Sequence, residues 1–378
     1  MRFDTTVLST AELALRHEVR DFLAAELPED RIPALGMAAE HDPDFSRKLA
    51  AAGWVGMSIP PEYGGHGRTA VERFIVTEEL LSAGAPIGAH FVADRQTGPT
   101  LLAFGTEEQR KFFLPKISSG ECWFSLGMSE PDAGSDLASV RTSAKQVEGG
   151  WLVNGTKVWT SGAHLNHYFA VLCRTSAPDS DRHQGLSQLI VDLGSTGVKV
   201  SPIPYLNGAH SFNEVVLEDV FVPDDMVLGE LGSGWTQVTS ELAYERSGPD
   251  RFLSTFNLLR YFLAERGQDG LDDAAARTVG TLAAQFWTIR QLSLAVARAI
   301  DEGRTPAVEG SLVKDIGTRF EQRVIEMIRT LADTEVDPGQ GSVFERLLAE
   351  AELTGPTFTL RGGTTEVLRL IASKGLNR

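Results

Sequence analysis

The sequence predicts a mainly α-helical protein with a β domain in its middle. Apolar residues recur at helical spacing between residues 9 and 115, and again from Gly232 to the C-terminus. Between these regions, short strand-like runs are separated by Gly-Gly and Asn-Gly pairs, which are typical of β-turns. The chain has 378 residues, 42% of them hydrophobic, so it can bury a sizeable core. We predict an N-terminal helical domain at 1–120, a β domain at 121–225 and a helical bundle at 226–378.

The N-terminal helices are predicted from their caps and their apolar spacing. The segment "STAELALRHEVRDFLAAEL" opens with the capping residues Ser9 and Thr10 and continues with an amphipathic pattern. Three further helices are predicted by "DPDFSRKLAAAG", which Gly53 ends, by "TAVERFIVTEELLSAGA" and by "GTEEQRKFFLPKISSG".

The β domain is predicted from turn residues between strand-like runs. Gly149-Gly150 and Asn154-Gly155 each predict a β-hairpin. The pattern continues to Pro223 through "YFAVLCRT", "LSQLIVDL", "GVKVSPI" and "FNEVVLEDVFVP". From Gly232 onward the helical period returns.

Charge and composition narrow the class of protein. The net charge of −16 argues against a nucleic-acid or anionic-membrane partner, because a negative surface repels both. No apolar run reaches the roughly 18 residues of a membrane span, and the N-terminus does not resemble a signal peptide. Cys122 and Cys173 lie in apolar contexts, as buried free thiols or as a disulfide or metal pair. We expect a cytoplasmic protein.

One segment of the sequence suggests a binding site, whereas a pair of histidines does not. In "FSLGMSEPDAGSDLASVRTSA" (124–144), Pro131 and Gly134 enforce turns, and small and hydroxyl residues leave backbone N–H groups open to a ligand. The alternative is an ordinary Asx-rich loop before a strand. His164 and His167 lack cysteine or carboxylate neighbours at metal spacing, so we expect no metal site there.

Five segments in order resemble the acyl-CoA dehydrogenase family, and the resemblance runs from about residue 10 to residue 378. It implies an acyl-CoA dehydrogenase fold: an N-terminal helical domain, a middle β-barrel-like domain and a C-terminal four-helix bundle that carries oligomer contacts. It also implies FAD and an acyl-CoA substrate. The segments are "GWVGMSIPPEYGGHG", "LLAFGTEEQRKFFLPKISSGE", "SEPDAGSDL", "WLVNGTKVWTSGA" and "RGGTTEVLRLIA".

The resemblance also implies roles for individual residues. Met128 and Ser129 would bind the pyrimidine side of the flavin, and the Ser161 hydroxyl would lie near flavin N5. Ser135 would face the pantetheine of the substrate. The full set of implied FAD-binding residues is Leu126, Met128, Ser129, Gly134, Ser135, Trp159, Thr160, Ser161, Thr364 and Glu366.

The position of the family's usual catalytic glutamate is Gly362 here, so the catalytic base must be another residue. The resemblance implies that Gly362 and Gly363 polarise the thioester carbonyl through a backbone N–H. On the helix before "RSGP", Glu245 lies only about 20° from Val238 around the helix axis, which places it on the apolar face. Such a carboxylate is either paired with a core arginine or is functional.

Some branches of the family, including the isovaleryl-CoA type, carry the glutamate on this helix as a Glu-Arg pair. Glu245-Arg246 matches that pair. The resemblance therefore implies that Glu245 is the base and that Arg246 helps to bind substrate. It also predicts that a carboxylate moved from position 245 to position 362 keeps part of the activity.

Two family motifs that reach a neighbouring subunit's FAD are missing. The family's Arg-x-x-Phe-Gly segment reads "ERGQDG" here, and "DPGQGSVFERLLAEAEL" replaces a Gln-x-x-Gly-Gly stretch. The family implies a homo- or hetero-tetramer, and these losses suit a heteromer with a second dehydrogenase-like chain, as in bacterial steroid side-chain dehydrogenases.

The implied reaction is oxidation of an acyl-CoA to the trans-2-enoyl-CoA, with electrons passed to an electron-transferring flavoprotein. The alternatives are a non-catalytic subunit that completes a partner's FAD site and a flavin monooxygenase on the same fold.

Overall fold

The computed structural model describes residues 1–36, 40–177, 181–267, 270–332 and 334–376, with the backbone alone at 241–245 and 376. The predicted order of helices, β domain and helices is confirmed. The helices before the sheet are α1 (Thr10–Glu26), α2 (Pro43–Ala51), α3 (Ala70–Ser82), α4 (Gly98–Phe104) and α5 (Glu107–Ser118). Those after it are α6 (Gly234–Glu245), α7 (Phe256–Arg266), α8 (Asp273–Asp301), α9 (Ala307–Ala332), α10 (Val343–Thr354) and α11 (Thr365–Leu376).

Local capping explains where several helices begin. The Glu12 N–H donates to the Ser9 hydroxyl at 3.3 Å, and the Ser9 N–H donates to the Glu12 carboxylate at 2.7 Å. This reciprocal capping box satisfies two N–H groups that a helix start otherwise leaves unpaired. Thr69 and Thr106 begin α3 and α5 in the same way. The predicted end of α2 is also confirmed, since Gly53 has a φ of +79°.

The β domain is one largely antiparallel sheet, with the strand order β6-β7-β3-β2-β4-β5-β8 and β1 paired in parallel with β4. Its core includes Val153, Phe169, Leu189 and Val215. The strands are β1 (Phe124–Gly127), β2 (Ser143–Val147), β3 (Gly150–Ser161), β4 (Tyr168–Arg174), β5 (Leu186–Asp192), β6 (Val198–Ile203), β7 (Phe212–Pro223) and β8 (Val227–Leu228).

One of the two predicted hairpins is wrong. Gly149-Gly150 does join β2 to β3, but Asn154-Gly155 lies inside β3 as a bulge, where the pairing with β7 shifts register. The Asp219 N–H donates to the Asn154 side-chain oxygen at 2.9 Å, so the asparagine stabilises the bulge across the sheet. Glycine is needed because a Cβ at Gly155 would overlap the Thr142 side chain.

Contacts between Cα atoms divide the chain into two compact units. One unit contains residues 1–40, 69–86 and 243–378, and therefore α1, α3 and α7 to α11. The other contains residues 41–68 and 87–242, and therefore α2, α4, α5 and the sheet. The three domains at 1–120, 121–225 and 226–378 stay a prediction, because compact units need not coincide with sequence domains.

Both cysteines are buried free thiols, as one of the two open interpretations predicts. Burial raises the pKa of Cys122 and of Cys173 to about 12, so both thiols stay protonated.

None of the helices in the described segments is long and apolar enough to span a bilayer.

Candidate active site

The loop after β1 is held against the edge of β3. The Val158 N–H donates to the Ser129 carbonyl at 3.0 Å, and Lys157 Nζ donates to the Met128 carbonyl at 3.0 Å. Both contacts use main-chain carbonyls, and the side chains of Met128 and Ser129 are half-buried, with Met128 packed against the apolar cluster that contains Val238. The structure thus brings the loop that carries the predicted flavin-binding residues, the cradle loop (residues 128–135), next to the Val158-Trp159 peptide.

A buried ion pair fixes this arrangement. Lys157 is fully buried and lies 2.9 Å from the Glu130 carboxylate, which also accepts hydrogen bonds from the N–H groups of Arg141 and Thr142 at 2.7 and 2.8 Å. Burial alone would raise the pKa of Glu130, but Lys157 and these N–H donors hold it below its ordinary value. The carboxylate therefore ties the cradle loop to β3 and to the start of β2.

Trp159 has the most unusual backbone in this region. Its φ is +59°, at a register shift between Lys157 and Thr160, and its side chain is 59% exposed. A left-handed conformation costs a non-glycine residue about 1–2 kcal/mol, and such strain concentrates at functional sites. The bulge places a flat indole at the protein surface, where it can stack on a planar ligand.

The three residues of the Trp-Thr-Ser motif do not share one face. Ser161 is exposed like Trp159, whereas Thr160 is fully buried and its hydroxyl has no hydrogen-bond partner among the residues that the structure describes. The Thr160 carbonyl accepts a hydrogen bond from the Asn213 side chain at 3.0 Å. The Thr160 side chain thus packs inside the protein. Only its main-chain atoms could contact a cofactor.

The remaining predicted residues of this segment are half-buried or exposed. Leu126 is half-buried, and Gly134 and Ser135 are exposed. A Cβ atom at Gly134 would meet nothing within 4 Å among the described residues beyond its chain neighbours, so their packing does not require a glycine there. The open space beside Gly134 suits the close approach of a ligand.

The Gly362-Gly363 turn is bound by two buried cations. Both glycines have positive φ, +68° and +102°, which L-residues with side chains rarely adopt. Arg246 Nε donates to the Gly362 carbonyl at 3.3 Å, and Lys314 Nζ donates to the Gly363 carbonyl at 2.9 Å. Arg246, which the resemblance implied to help bind substrate, is therefore in contact with the glycine turn.

Arg251 occupies the space beside Gly362. A Cβ atom on Gly362 would lie 3.2–3.3 Å from three guanidinium atoms of Arg251. Arg251 is fully buried and its Nε lies 2.8 Å from the equally buried Asp250 carboxylate. Position 362 therefore has little room for a side chain.

Thr364 and Glu366 lie at the start of α11. The Val367 N–H donates to the Thr364 hydroxyl at 3.4 Å, so Thr364 caps this helix. Glu366 is exposed, and its own N–H together with the Thr364 hydroxyl holds its pKa below the ordinary value. Both positions remain predictions as nucleotide contacts.

Glu245 is the last residue of α6, and its side chain lies outside the described part of the chain. Val238, its predicted neighbour on the apolar face, is fully buried. It packs with Ala133 of the cradle loop and with Val140. The next residue after Glu245 is Arg246, which contacts the glycine turn. The backbone of the candidate base therefore lies one residue from a contact with that turn.

Sequence reasoning missed the buried charges Lys157, Glu130, Arg251 and Lys314. A signal existed for Lys314, because Ser311, Lys314, Thr318 and Glu321 follow one another at helical spacing among apolar residues. All four are buried on one stripe of α9.

Comparisons with known proteins agree with this fold. Two family models match the chain: "Acyl-CoA dehydrogenase, N-terminal domain" over residues 9–121 and "Acyl-CoA dehydrogenase, middle domain" over residues 125–220. Acyl-CoA dehydrogenase FadE29 of Mycobacterium tuberculosis is 33% identical over 383 residues, which cover 98% of this chain and 97% of that protein. Acyl-CoA dehydrogenase FadE34 of the same organism is 34% identical, but the match covers 88% of this chain and only 46% of the longer relative.

Solved structures are similar over almost the whole chain. A structure described as the "Tcur3481-Tcur3483 steroid ACAD" has a TM-score of 0.87 at 30% identity and covers 98% of both chains. The ChsE4-ChsE5 complex from Mycobacterium tuberculosis has a TM-score of 0.85 at 28% identity, with 100% of this chain and 99% of that chain covered.

Proposed function

Because this chain belongs to the acyl-CoA dehydrogenase family, whose usual cofactor is FAD, we propose that it oxidises an acyl-CoA thioester to the trans-2-enoyl-CoA. The observation that carries the proposal is Trp159, an exposed indole in a strained conformation beside the Met128-Ser129 loop. The register shift in β3 holds the backbone in this conformation and leaves the indole exposed, so a planar ligand can stack on it.

The residues of the β domain fit an isoalloxazine ring. Trp159 offers a flat apolar surface, Ser161 offers an exposed hydroxyl on the same face of β3, and Met128 and Ser129 lie alongside. Bound FAD would supply the two-electron acceptor of the reaction. In the proposal, the role of these four residues is to bind and orient that acceptor.

The residues of the glycine turn fit the other half of the chemistry. Removal of an α-proton from a thioester leaves negative charge on its carbonyl oxygen, which N–H donors and nearby cations stabilise. Gly362 and Gly363 are proposed to supply such a donor, with Arg246 holding the turn from the buried side. Glu245 is proposed as the base, at a position that the family's Glu-Arg pair supports.

The proposed partners follow from the relatives and from α7. The ChsE4-ChsE5 complex contains two different chains, which supports a heteromer here. The Arg266 guanidinium donates to the carbonyls of Leu331 and Ala332 at 3.3 and 3.1 Å, at the end of α9, so it is engaged inside its own subunit. Gln268 and Asp269 of "ERGQDG" lie outside the described residues. The proposed electron acceptor is an electron-transferring flavoprotein.

Anaerobic reduction of the bound flavin by a panel of acyl-CoA thioesters tests the function. The panel should include straight-chain, branched and steroid side-chain thioesters. Glu245→Gln keeps the shape of the side chain but removes the proton acceptor, so flavin reduction should slow by about 10²–10⁴-fold while acyl-CoA still binds.

The matched control is Glu265→Gln, which removes an exposed carboxylate from α7 and should leave the rate unchanged. A wild-type protein whose flavin no thioester reduces would refute the proposed reaction. A Glu245→Gln variant with the wild-type rate would leave the reaction standing and refute the base.

A further inference from the structure

We propose that Lys314 is a positioning residue, which aims backbone N–H groups of the glycine turn at the thioester carbonyl. The inference rests on the proposed function and extends it to a side chain that the reaction itself does not touch. Lys314 lies on α9, fully buried, and its Nζ donates to two carbonyls: Gly363 at 2.9 Å and Phe358 at 3.3 Å.

Peptide geometry converts these contacts into an orientation of the turn. In a planar trans peptide the C=O and the following N–H point in opposite directions. Arg246 binds the Gly362 carbonyl, so the Gly363 N–H points away from Arg246. Lys314 binds the Gly363 carbonyl, so the Thr364 N–H points away from Lys314. Two successive peptide units thus turn their acceptors toward buried cations and their donors away from them.

The segment before the turn is fixed by other contacts. Arg361 lies 3.0 Å from the fully buried Glu321 carboxylate and donates to the Ser254 hydroxyl at 2.6 Å. The Ser254 N–H donates to the same carboxylate at 2.8 Å. These contacts anchor Arg361, the residue before the turn. Lys314 then fixes the orientation of the peptide between Gly363 and Thr364.

A lysine suits this position for two physical reasons. Its ammonium group carries several donors on one atom, so it can bind the Phe358 and Gly363 carbonyls together. A buried positive charge also polarises the peptide that it binds, which makes the N–H on the far side a stronger donor to a developing enolate. An apolar side chain of similar length would fill the space without either effect.

The test compares Lys314→Met with Thr318→Val in the FAD-loaded complex. Thr318 lies one turn further along α9 and is also buried, and its hydroxyl contacts the Phe358 carbonyl at 3.5 Å. The control variant therefore disturbs Phe358 but leaves the Gly363 carbonyl in contact with Lys314.

Two readouts separate positioning from packing. The first is the infrared stretching frequency of a ¹³C-labelled thioester carbonyl in a bound 3,3-dimethylacyl-CoA, which has no β-hydrogen to lose. The second is the rate of anaerobic flavin reduction by a reactive acyl-CoA.

We expect Lys314→Met to move the carbonyl frequency back toward that of free thioester and to slow flavin reduction by about 10- to 100-fold, with the dissociation constant of the acyl-CoA little changed. Thr318→Val should match the wild type in both readouts. Lys314→Gln, which keeps an uncharged donor, should fall between Lys314→Met and the wild type. It replaces Lys314→Met in the comparison if the methionine variant does not assemble with FAD.

The inference is overturned if the lysine variants keep the wild-type frequency and rate, or if Thr318→Val loses as much as they do. A failure of the proposed function looks different, because the wild-type flavin would then stay oxidised with every thioester. The carbonyl readout would still report on Lys314 in that case, since it needs binding but no turnover.

Discussion

The proposed contact of Trp159 with flavin predicts a trade-off between folding and ligand binding at this single residue. Its φ of +59° favours glycine, so Trp159→Gly should relieve about 1–2 kcal/mol of backbone strain and offset its lost packing against Phe212. The variant should unfold thermally no earlier than the wild type when flavin is removed. Its affinity for flavin should fall at least about tenfold, because the stacking surface is gone.

Thermal unfolding of the flavin-free protein and a fluorescence titration with FAD measure the two effects. Trp159→Phe is the matched control, since it keeps an aromatic ring at the same φ and should keep most of the affinity. Wild-type flavin affinity in Trp159→Gly would show that the strained indole does not contact the cofactor.

The structure changes the expected result of moving the carboxylate to position 362. A side chain at Gly362 would meet the Arg251 guanidinium at 3.2–3.3 Å and would have to adopt a φ of +68°. A glutamate there would form an ion pair with Arg251, which lowers its pKa and weakens it as a base. We therefore expect Glu245→Gly with Gly362→Glu to be no more active than Glu245→Gly alone.

Flavin reduction in the double variant measures this, with Glu245→Gly as its reference. A recovery of more than about tenfold over the single variant, which is the scale of general-base catalysis, would show that Arg251 yields to the new side chain.

Residues that act through local contacts were predictable, and those that act through distant contacts were not. Ser9 was predicted as a cap because its partner is three residues away. Lys314 and Arg246 bind carbonyls that are 49 and 116 residues away in sequence. The sequence around either cation does not predict which carbonyl it binds. The fold is needed to show that both cations bind the same glycine turn.

At the scale of elements, the buried pair Lys157–Glu130 joins β3 to the cradle loop. Lys157→Met alone should destabilise the fold by about 3–5 kcal/mol, because it leaves the Glu130 carboxylate buried without its cation. The double variant with Glu130→Gln should lose less free energy of unfolding than the sum of the two single variants, since neither charge is then left unpaired.

Urea unfolding of the two single variants and the double variant measures this coupling. The exposed pair Lys199–Glu218 between β6 and β7 is the matched control, and its cycle should give a coupling near zero. Equal coupling in the two cycles would contradict a structural role for the buried pair.

The bulge in β3 shows why element boundaries were less predictable than element types. Asn154-Gly155 has the residues of a hairpin turn, and Gly149-Gly150, five residues earlier, does form one. Contacts with Asp219 in β7 and with Thr142 just before β2 distinguish the second site from the first. The Asn-Gly pair therefore correctly indicated an irregular backbone at this position, but it did not show that the irregularity is a bulge and not a turn.

At the scale of the whole chain, helical periodicity predicted the helices but not their partners. α1 and α3 belong to the same compact unit as the C-terminal helices, whereas α2 and α5 belong to the unit that contains the sheet. An amphipathic pattern shows that a helix buries one face, and it carries no information about which distant segment covers that face.

The last prediction concerns assembly. The stretch Arg266 to Gly270 has aspartate at position 269 where the family's Arg-x-x-Phe-Gly segment has phenylalanine, and Arg266 is already bound to the end of α9. A subunit that cannot complete its neighbour's FAD site should bind FAD poorly in homo-oligomers. We expect the chain alone to purify with little flavin, and co-expression with a second dehydrogenase-like chain to give fewer than one FAD per subunit.

Flavin absorbance per chain, together with native mass spectrometry, measures occupancy and composition. Asp269→Phe restores the missing aromatic residue and should raise the flavin content of the chain expressed alone, whereas Asp269→Ala removes the charge without adding a ring and should not. A homotetramer of the wild-type chain with full FAD occupancy would contradict the heteromer, because other residues would then supply the contact that the family takes from this segment.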